Sequence, residues 1–392
     1  MKHKLLASAI ATVISATSVQ FAAAEDATSL TKALSDSDVK FNLRYRYEAV
    51  DDGNTATEDA GASTLRSRLT LTSQKYNHLQ VGIELDNVSI IGDENHNSGQ
   101  NGMGDHAKVV DPESSEINQA WVAYTGLGDT TVKAGRQRVN LDNQRFIGGV
   151  AWRQNEQTHD AVALINKSIP DTTVLYAYVH NVNTIVGSNI DTDSQLLNIN
   201  YAGIPGAKLS LYRYEIEVEN DTTGIRLDGK ADMGSAKFLY ELELATQEGH
   251  HNSNVEADYS HIALGLKVDN FTAKLGVEEL GAEDATSAGF STALGTKHKF
   301  NGWADKFLAT PVGGLEDTYL SLGAKAGKFK VKVVYHDFDS AEGSADLGKE
   351  WNVAIGTKLD NGLKLLLKGA DYSAGDSGTD TTKIWLQAQY AF

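Results

Sequence analysis

The stretch VKFNLRYRYEAV, residues 39–50, alternates two kinds of side chain from Val39 to Ala49. Val39, Phe41, Leu43, Tyr45, Tyr47 and Ala49 are apolar or aromatic, while Lys40, Asn42, Arg44, Arg46 and Glu48 between them are polar or charged. A period of two belongs to a β-strand, whose successive side chains point to opposite faces. One strand leaves two environments open. A soluble sandwich turns its apolar face to a core and its polar face to water; a membrane barrel turns its apolar face to lipid and its polar face to a lumen.

The pattern recurs along the whole chain. STLRSRLTLT (63–72), HLQVGIELD (78–86), AKFLYELELAT (236–246), FTAKLGVE (271–278), GKFKVKVVYH (327–336) and KEWNVAIGTKL (349–359) all alternate. Most are close to the roughly 9 to 11 residues that a tilted strand needs to cross hydrocarbon. About 18 such segments can be counted; those near 158–166 and 172–180 alternate weakly, which leaves the count at 16 or 18.

The spacers decide between the two environments. Short links at 74–77, 126–129, 166–171, 202–206, 230–235, 269–270, 326–327 and 360–362 alternate with long ones. The long links fall near 51–62, 88–115, 139–157, 181–193, 247–255, 280–316, 338–348 and 373–382, and only the link near 217–222 is short where a long one is expected. A sandwich has no reason to gather its long loops at one end, whereas outer-membrane barrels have short periplasmic turns and long extracellular loops. The expected fold is an all-β, transmembrane, antiparallel up-and-down barrel.

The two ends of the chain agree. MKHKLLASAIATVISATSVQFAAA carries Lys2 and Lys4, an apolar run and a triplet of alanines, the layout of a secretory signal cleaved after Ala24. Residues 25–37 then form a short periplasmic extension and 25–392 the barrel region. At the other end, TKIWLQAQYAF places Ile384, Leu386, Ala388, Tyr390 and Phe392 on one apolar face. A final strand ending on an aromatic resembles the signal read by the outer-membrane barrel assembly machinery, and an even strand count puts both termini on the periplasmic side. Lipid and lipopolysaccharide are the expected surroundings.

Composition removes other classes. The chain has no cysteine, so no disulfide framework holds it. Its net charge of −17 argues against a nucleic-acid partner, which would favour a basic surface. No G-x-S-x-G, H-E-x-x-H or G-x-G-x-x-G constellation is present. His159 beside Asp160 and His336 beside Asp337 suggest a base with its orienting carboxylate, but adjacent strand residues face opposite ways. The chain reads as no enzyme and implies no cofactor. Asp93, Asn95 and Asn97 have the opening spacing of a calcium loop, yet Ser98 and Gly104 stand where such a loop needs Gly and Glu. No metal site is expected.

The orientation of the faces follows from magnitude. Arg44, Arg46, Arg66 and Arg68 pointing at lipid would each cost on the order of 2 to 4 kcal/mol near the midplane, so they face the lumen. On the same register the inner wall carries Lys40, Lys133, Lys237, Lys274, Lys330, Lys332, Lys364 and Lys368 against Glu48, Glu84, Asp86, Glu241, Glu243 and Glu278. The basic cluster of the first two strands is followed by Glu84 and Asp86 on the third. Opposed basic and acidic walls would give a transverse field that selects solutes; the alternative is ordinary solvated wall residues.

Two segments outside the strand pattern, GRQRVNLDNQRFIGGVAWRQNEQTHDAV (135–162) and FSTALGTKHKFNGWADKFLATPVGGLEDTYL (290–320), resemble the paired signatures of porin-like proteins in the alginate export family. The resemblance implies an outer-membrane channel with an arginine-rich lumen. The first segment brings Arg136, Arg138, Arg145 and Arg153 together with Asp142 and Glu156. Folded inward, it would place guanidinium groups where a carboxylate solute is held bidentately; alternatively, pairing with Asp142, Glu156 and Asp160 braces the loop. A polyuronate exporter should be overwhelmingly basic inside, so the mixed lumen favours passive diffusion of small hydrophilic, anionic or carboxylate-bearing solutes. Alginate-like polysaccharide export is the alternative.

Overall fold

The computed structural model describes residues 26–217, 220–249 and 255–392; the signal segment lies outside the described residues. After a short helix, Leu30–Ser35, eighteen strands form one sheet. The first six are β1 Asp38–Asp51, β2 Ala60–Thr72, β3 Leu79–Ile90, β4 Ser114–Leu127, β5 Thr130–Gln137 and β6 Thr158–Asn166. Next come β7 Thr172–Asn183, β8 Asn189–Tyr201, β9 Ala207–Glu215, β10 Asn220–Met233, β11 Ala236–Gly249 and β12 Glu256–Val268. The last are β13 Phe271–Leu280, β14 Leu315–Ala326, β15 Phe329–Asp339, β16 Asp346–Lys358, β17 Lys364–Ser373 and β18 Thr381–Ala391.

Every strand pairs antiparallel with its sequence neighbours, and β1 also pairs with β18, so the sheet closes on itself. The weakly alternating segments near 158–166 and 172–180 are strands β6 and β7, which fixes the count at 18 rather than 16. The Phe41 amide donates to the Phe392 carbonyl at 2.8 Å, and Asp38 lies opposite Thr72 just before the first short turn. Both ends of the barrel region therefore sit at the short-turn end. The extension is not featureless: the Gln74 amide donates to the Ala33 carbonyl at 3.0 Å, docking the helix on that first turn.

One expected long link is corrected. Between β7 and β8 only residues 184–188 are outside the strands, because pairing continues through Asn181↔Asp191 to Asn183↔Asn189 beyond a bulge at Val179. Alternation fades there at the bulge, while the hydrogen-bonded ladder continues beyond it. The opposite holds for the long links after β5 and β13, which fold inward.

The quoted strand shows the division of faces. Arg44, Arg46 and Glu48 are buried while Tyr45 and Tyr47 are exposed. The exposed face of the sheet is apolar almost throughout, with Leu85, Leu197, Ile262, Leu264, Leu322 and Leu386 among its residues. The interior holds the charges, and the buried core is where the inward loops meet the wall. This inverts a soluble fold, as the lipid-facing assignment requires.

Ile262 sits in the middle of β12 on the exposed face. Ile262→Arg is expected to cost about 2 to 4 kcal/mol in lipid vesicles, read by urea titration of the refolded barrel. A loss under about 0.5 kcal/mol, typical of a solvated surface, would show that this face does not meet hydrocarbon.

Candidate functional site

Two loops cross the barrel interior: residues 138–157 between β5 and β6, and residues 281–314 between β13 and β14. A loop inside a barrel must satisfy its backbone groups without a ladder, and these two do so on each other. The Gly148 amide donates to the Leu294 carbonyl and the Thr296 amide to the Gln144 carbonyl, both at 2.9 Å. Gln157 Nε2 donates to the Gly148 carbonyl at 2.9 Å and the Leu294 carbonyl at 3.1 Å. Glycine is required where they touch, since a Cβ on Gly148 would lie 2.3 Å from Thr296 Oγ1 and one on Gly295 2.2 Å from the Arg145 carbonyl oxygen.

The loops are fastened to the wall by charge. Glu156 receives Arg138 Nε and Arg68 NH1 at 2.5 Å each, with Arg66 at 3.7 Å. Arg68 also holds Asp86 at 2.5 Å and Glu84 at 3.4 Å, and Arg138 pairs with Glu84. This first network joins three arginines to three carboxylates. In a second, Arg153 holds Glu48 at 3.0 Å, Asp305 at 3.1 Å and Asp111 at 3.8 Å. Asp111 also faces Arg46 at 3.6 Å, and Asp305 faces Lys383 at 3.1 Å. A third centres on Arg145, which reaches Glu278 at 2.8 Å and Asn301 at 2.7 Å.

Aromatic contacts set the depth of insertion. Phe146 at the tip of the first loop packs on Tyr212, Tyr259 and Phe290 with centroids 5.1 to 5.6 Å apart. Trp152 stacks on His298 at 4.6 Å, and Lys368 of β17 lies 4.0 Å from the ring centroids of both Trp152 and Trp303. His298 is neutral by geometry. Its Nδ1–H donates to Asp305 at 2.6 Å, while Nε2 accepts from the Lys368 ammonium, also at 2.6 Å.

The loop groups titrate far from their ordinary ranges. Burial raises the Glu156 carboxyl, but Arg138, Arg68 and Arg66 outweigh it and hold it well below the carboxylate range. Asp305 is likewise pushed down despite burial, by His298, Lys383 and Arg153. Burial drives His298 down to about 3 against the opposing pull of Asp305, with Lys368 and Arg153 adding smaller downward pushes.

Arg44, Arg46, Arg66, Arg68, Glu84 and Asp86 all lie buried on the inner face as the sequence predicts. The opposed walls are not found. Arg68 lies directly across from Asp86 in the β2–β3 ladder, so basic and acidic neighbours cancel as contact pairs instead of facing each other over the lumen. Bracing partners also differ in part: Arg138 uses Glu156 and Arg136 uses Asp160, but Arg145 and Arg153 use Glu278, Glu48 and Asp305, while Asp142 takes Lys208 at 2.9 Å. The His159 ring nitrogens have no hydrogen-bond partner among the described residues, and His336 pairs with Asp317 at 2.9 Å. Sequence reading missed Asp111, Asp305, His298 and the tryptophans; the one available signal was the run HKFNGWADKFL, which holds His298, Trp303 and Asp305.

Some wall and loop cations have only neutral partners. Arg44 donates to Gln154 Oε1 at 2.8 Å, the Ala151 carbonyl at 3.0 Å and the Arg153 carbonyl. Lys133 lies over the Trp121 ring at 4.3 Å, and Lys299 donates to the Asn143 carbonyl at 2.7 Å. On the short-turn side a cavity of about 670 Å³ opens between strands β8 and β13, lined by Lys208, Lys230 and Lys274 with Asp228 and Glu241.

The alginate export family profile matches residues 36–178, ending within β7. That span contains the whole of the first signature segment and none of the second. Among solved structures, Acinetobacter baumannii OccAB4 is 15% identical, with 91% of this chain and 98% of that one covered at a TM-score of 0.75. Pseudomonas aeruginosa OpdK, solved with vanillate, is 13% identical over 92% of this chain and 99% of that one, TM-score 0.73. Pseudomonas aeruginosa OccK9 (OpdG) is 14% identical over 92% and 99%, TM-score 0.75. At these identities the likeness is one of fold, and it extends over nearly the whole barrel. No curated protein matches the chain.

Packing of the loops is expected to weaken on acidification. His298 has its folded value below its free one, so a released loop takes up a proton that the packed loop refuses, and hold is lost as pH falls from about 6.5 toward 3. Asp305 and Glu156, depressed in the packed state, add to the loss only below their ordinary range. Single-channel records should show more frequent openings at pH 4.5 than at pH 7, and His298→Gln should flatten that step. A pH-independent opening frequency in the native chain would refute it.

Proposed function

We propose that this chain is an outer-membrane porin through which small hydrophilic solutes diffuse passively, with a preference for anionic, carboxylate-bearing ones. The observation that carries the preference is the division of interior cations into two sets. Arg66, Arg68, Arg138, Arg145 and Arg153 are matched by carboxylates and add little net potential. Arg44, Lys133 and Lys299 have neutral partners and leave their charge uncompensated. A fixed cation in a narrow, low-dielectric passage lowers the entry cost of an anion and raises that of a cation.

The filter role read from the sequence for Arg145 and Arg153 therefore passes to other residues, and these two hold the loops that set the size limit. The vanillate in the OpdK structure is a small carboxylate, in keeping with this solute class. Polyuronate export fits less well, because two loops cross-bonded to each other and to opposite parts of the wall stand in the path of a chain. On this reading lipid and lipopolysaccharide surround the exposed face, the assembly machinery reads the final strand ending at Phe392, and the signal is removed after Ala24.

Reversal potentials across a KCl gradient in planar bilayers test the division. Lys133→Gln with Lys299→Gln is expected to lower the anion-to-cation permeability ratio with little change in conductance. Arg145→Ala with Arg153→Ala leaves buried carboxylates unpaired at a cost of about 3 to 5 kcal/mol each and should raise conductance instead. Unchanged selectivity in the lysine variant would overturn the assignment, and absence of any conductance would overturn the porin reading.

A further inference from the structure

The short-turn mouth carries a pattern that neither the barrel fold nor the constriction requires. In three hairpins a lysine stands directly opposite another lysine: Lys237↔Lys267 in β11–β12, Lys325↔Lys330 in β14–β15 and Lys358↔Lys364 in β16–β17. Directly opposed residues have Cβ atoms about 4.5 to 5.5 Å apart, and like charges there destabilise the ladder. All six fall on the lumen register. Lys330 shares its face with the buried Val334 and His336, Lys364 with the buried Lys368, and Lys267 with the buried Tyr259, His261 and Ala263.

Compensation at this rim is sparse. Lys237 has Asp232 at 2.7 Å, and the nearby turns contribute only Asp269 and Asp360, against a further Lys328. In a chain of net charge −17, this sector is strongly basic. The neighbouring cavity adds Lys230 and Lys274 beside Glu241 and Asp228. Three unfavourable pairs in hairpins of one wall, all aimed at one opening, form a set of twin-ammonium clamps.

We propose that this mouth is a binding site for multivalent oxyanions, separate from the constriction, in which each lysine pair straddles two anionic oxygens of a polyphosphate-like or polycarboxylate-like solute. A multivalent anion removes the repulsion within a pair as it gains two charge-assisted hydrogen bonds, an advantage that a monovalent anion lacks. The inference rests on the lumen reading of the inner face and deepens the anion preference into a valence preference on one side of the membrane.

The test uses the full-length barrel and inorganic tripolyphosphate. In calorimetry on the detergent-solubilised protein, tripolyphosphate is expected to bind with an affinity that falls steeply with salt and is roughly tenfold weaker in Lys325→Gln/Lys330→Gln. In bilayers it should block current when added on the short-turn side and not from the long-loop side, and the same variant should relieve the block. Binding that the variant leaves unchanged, or no binding, would overturn the proposal. Binding without conductance would support the site while removing the porin reading, so the two can fail separately.

Discussion

Closure of the β-sheet is the constraint from which the remaining structure follows. In hydrocarbon an unpaired backbone amide or carbonyl costs several kcal/mol, and a row of them along one strand edge would exceed the stability of an ordinary domain. Pairing β1 with both β2 and β18 removes that edge. Once the ring is closed, period two assigns each side chain to lipid or lumen with no third choice, and a one-residue slip would exchange the faces. The apolar exterior and charged interior are consequences of that single geometric fact.

A closed ring of eighteen strands encloses more space than wall side chains can fill. The two inward loops occupy it, and they do so with ions because the inner wall was already committed to ions. Buried charge is tolerated when it is matched and hydrogen-bonded. The first network is matched three to three, and in the second Arg46, Arg153 and Lys383 answer Glu48, Asp111 and Asp305. The acidic overall composition therefore says little about the path itself. The carboxylates that lie beside the loops, Glu48, Glu84, Asp86, Asp111, Glu156, Glu278 and Asp305, are spent on holding them.

Alternation made the wall legible in advance: Arg44 and Arg46 inside, Tyr45 and Tyr47 outside, and Phe392 beside Phe41 at the seam all follow from period two and the cost of a charge in lipid. The site was legible only in part. That Arg138 would take Glu156 was open to inspection because both belong to one loop. That Arg153 would take Asp305, or Arg145 Glu278, was not, since each pair joins segments far apart in the sequence whose approach depends on how two loops fold against each other. The expected transverse field failed for a related reason. Glu84 and Asp86 were placed on the correct face, but the β2–β3 register sets Asp86 against Arg68, and contact neutralised what separation would have polarised.

The loop anchors also bear on how the current would look in time. The Glu156, Arg153 and Arg145 networks share no ion pair, so each fastens the loops through partners of its own. A plug held by several separate fastenings does not leave as a unit; it peels by local steps of different free energy. Discrete partial current levels, each with its own lifetime, are the natural signature of such a plug, in contrast to the two-level record of a hinged lid.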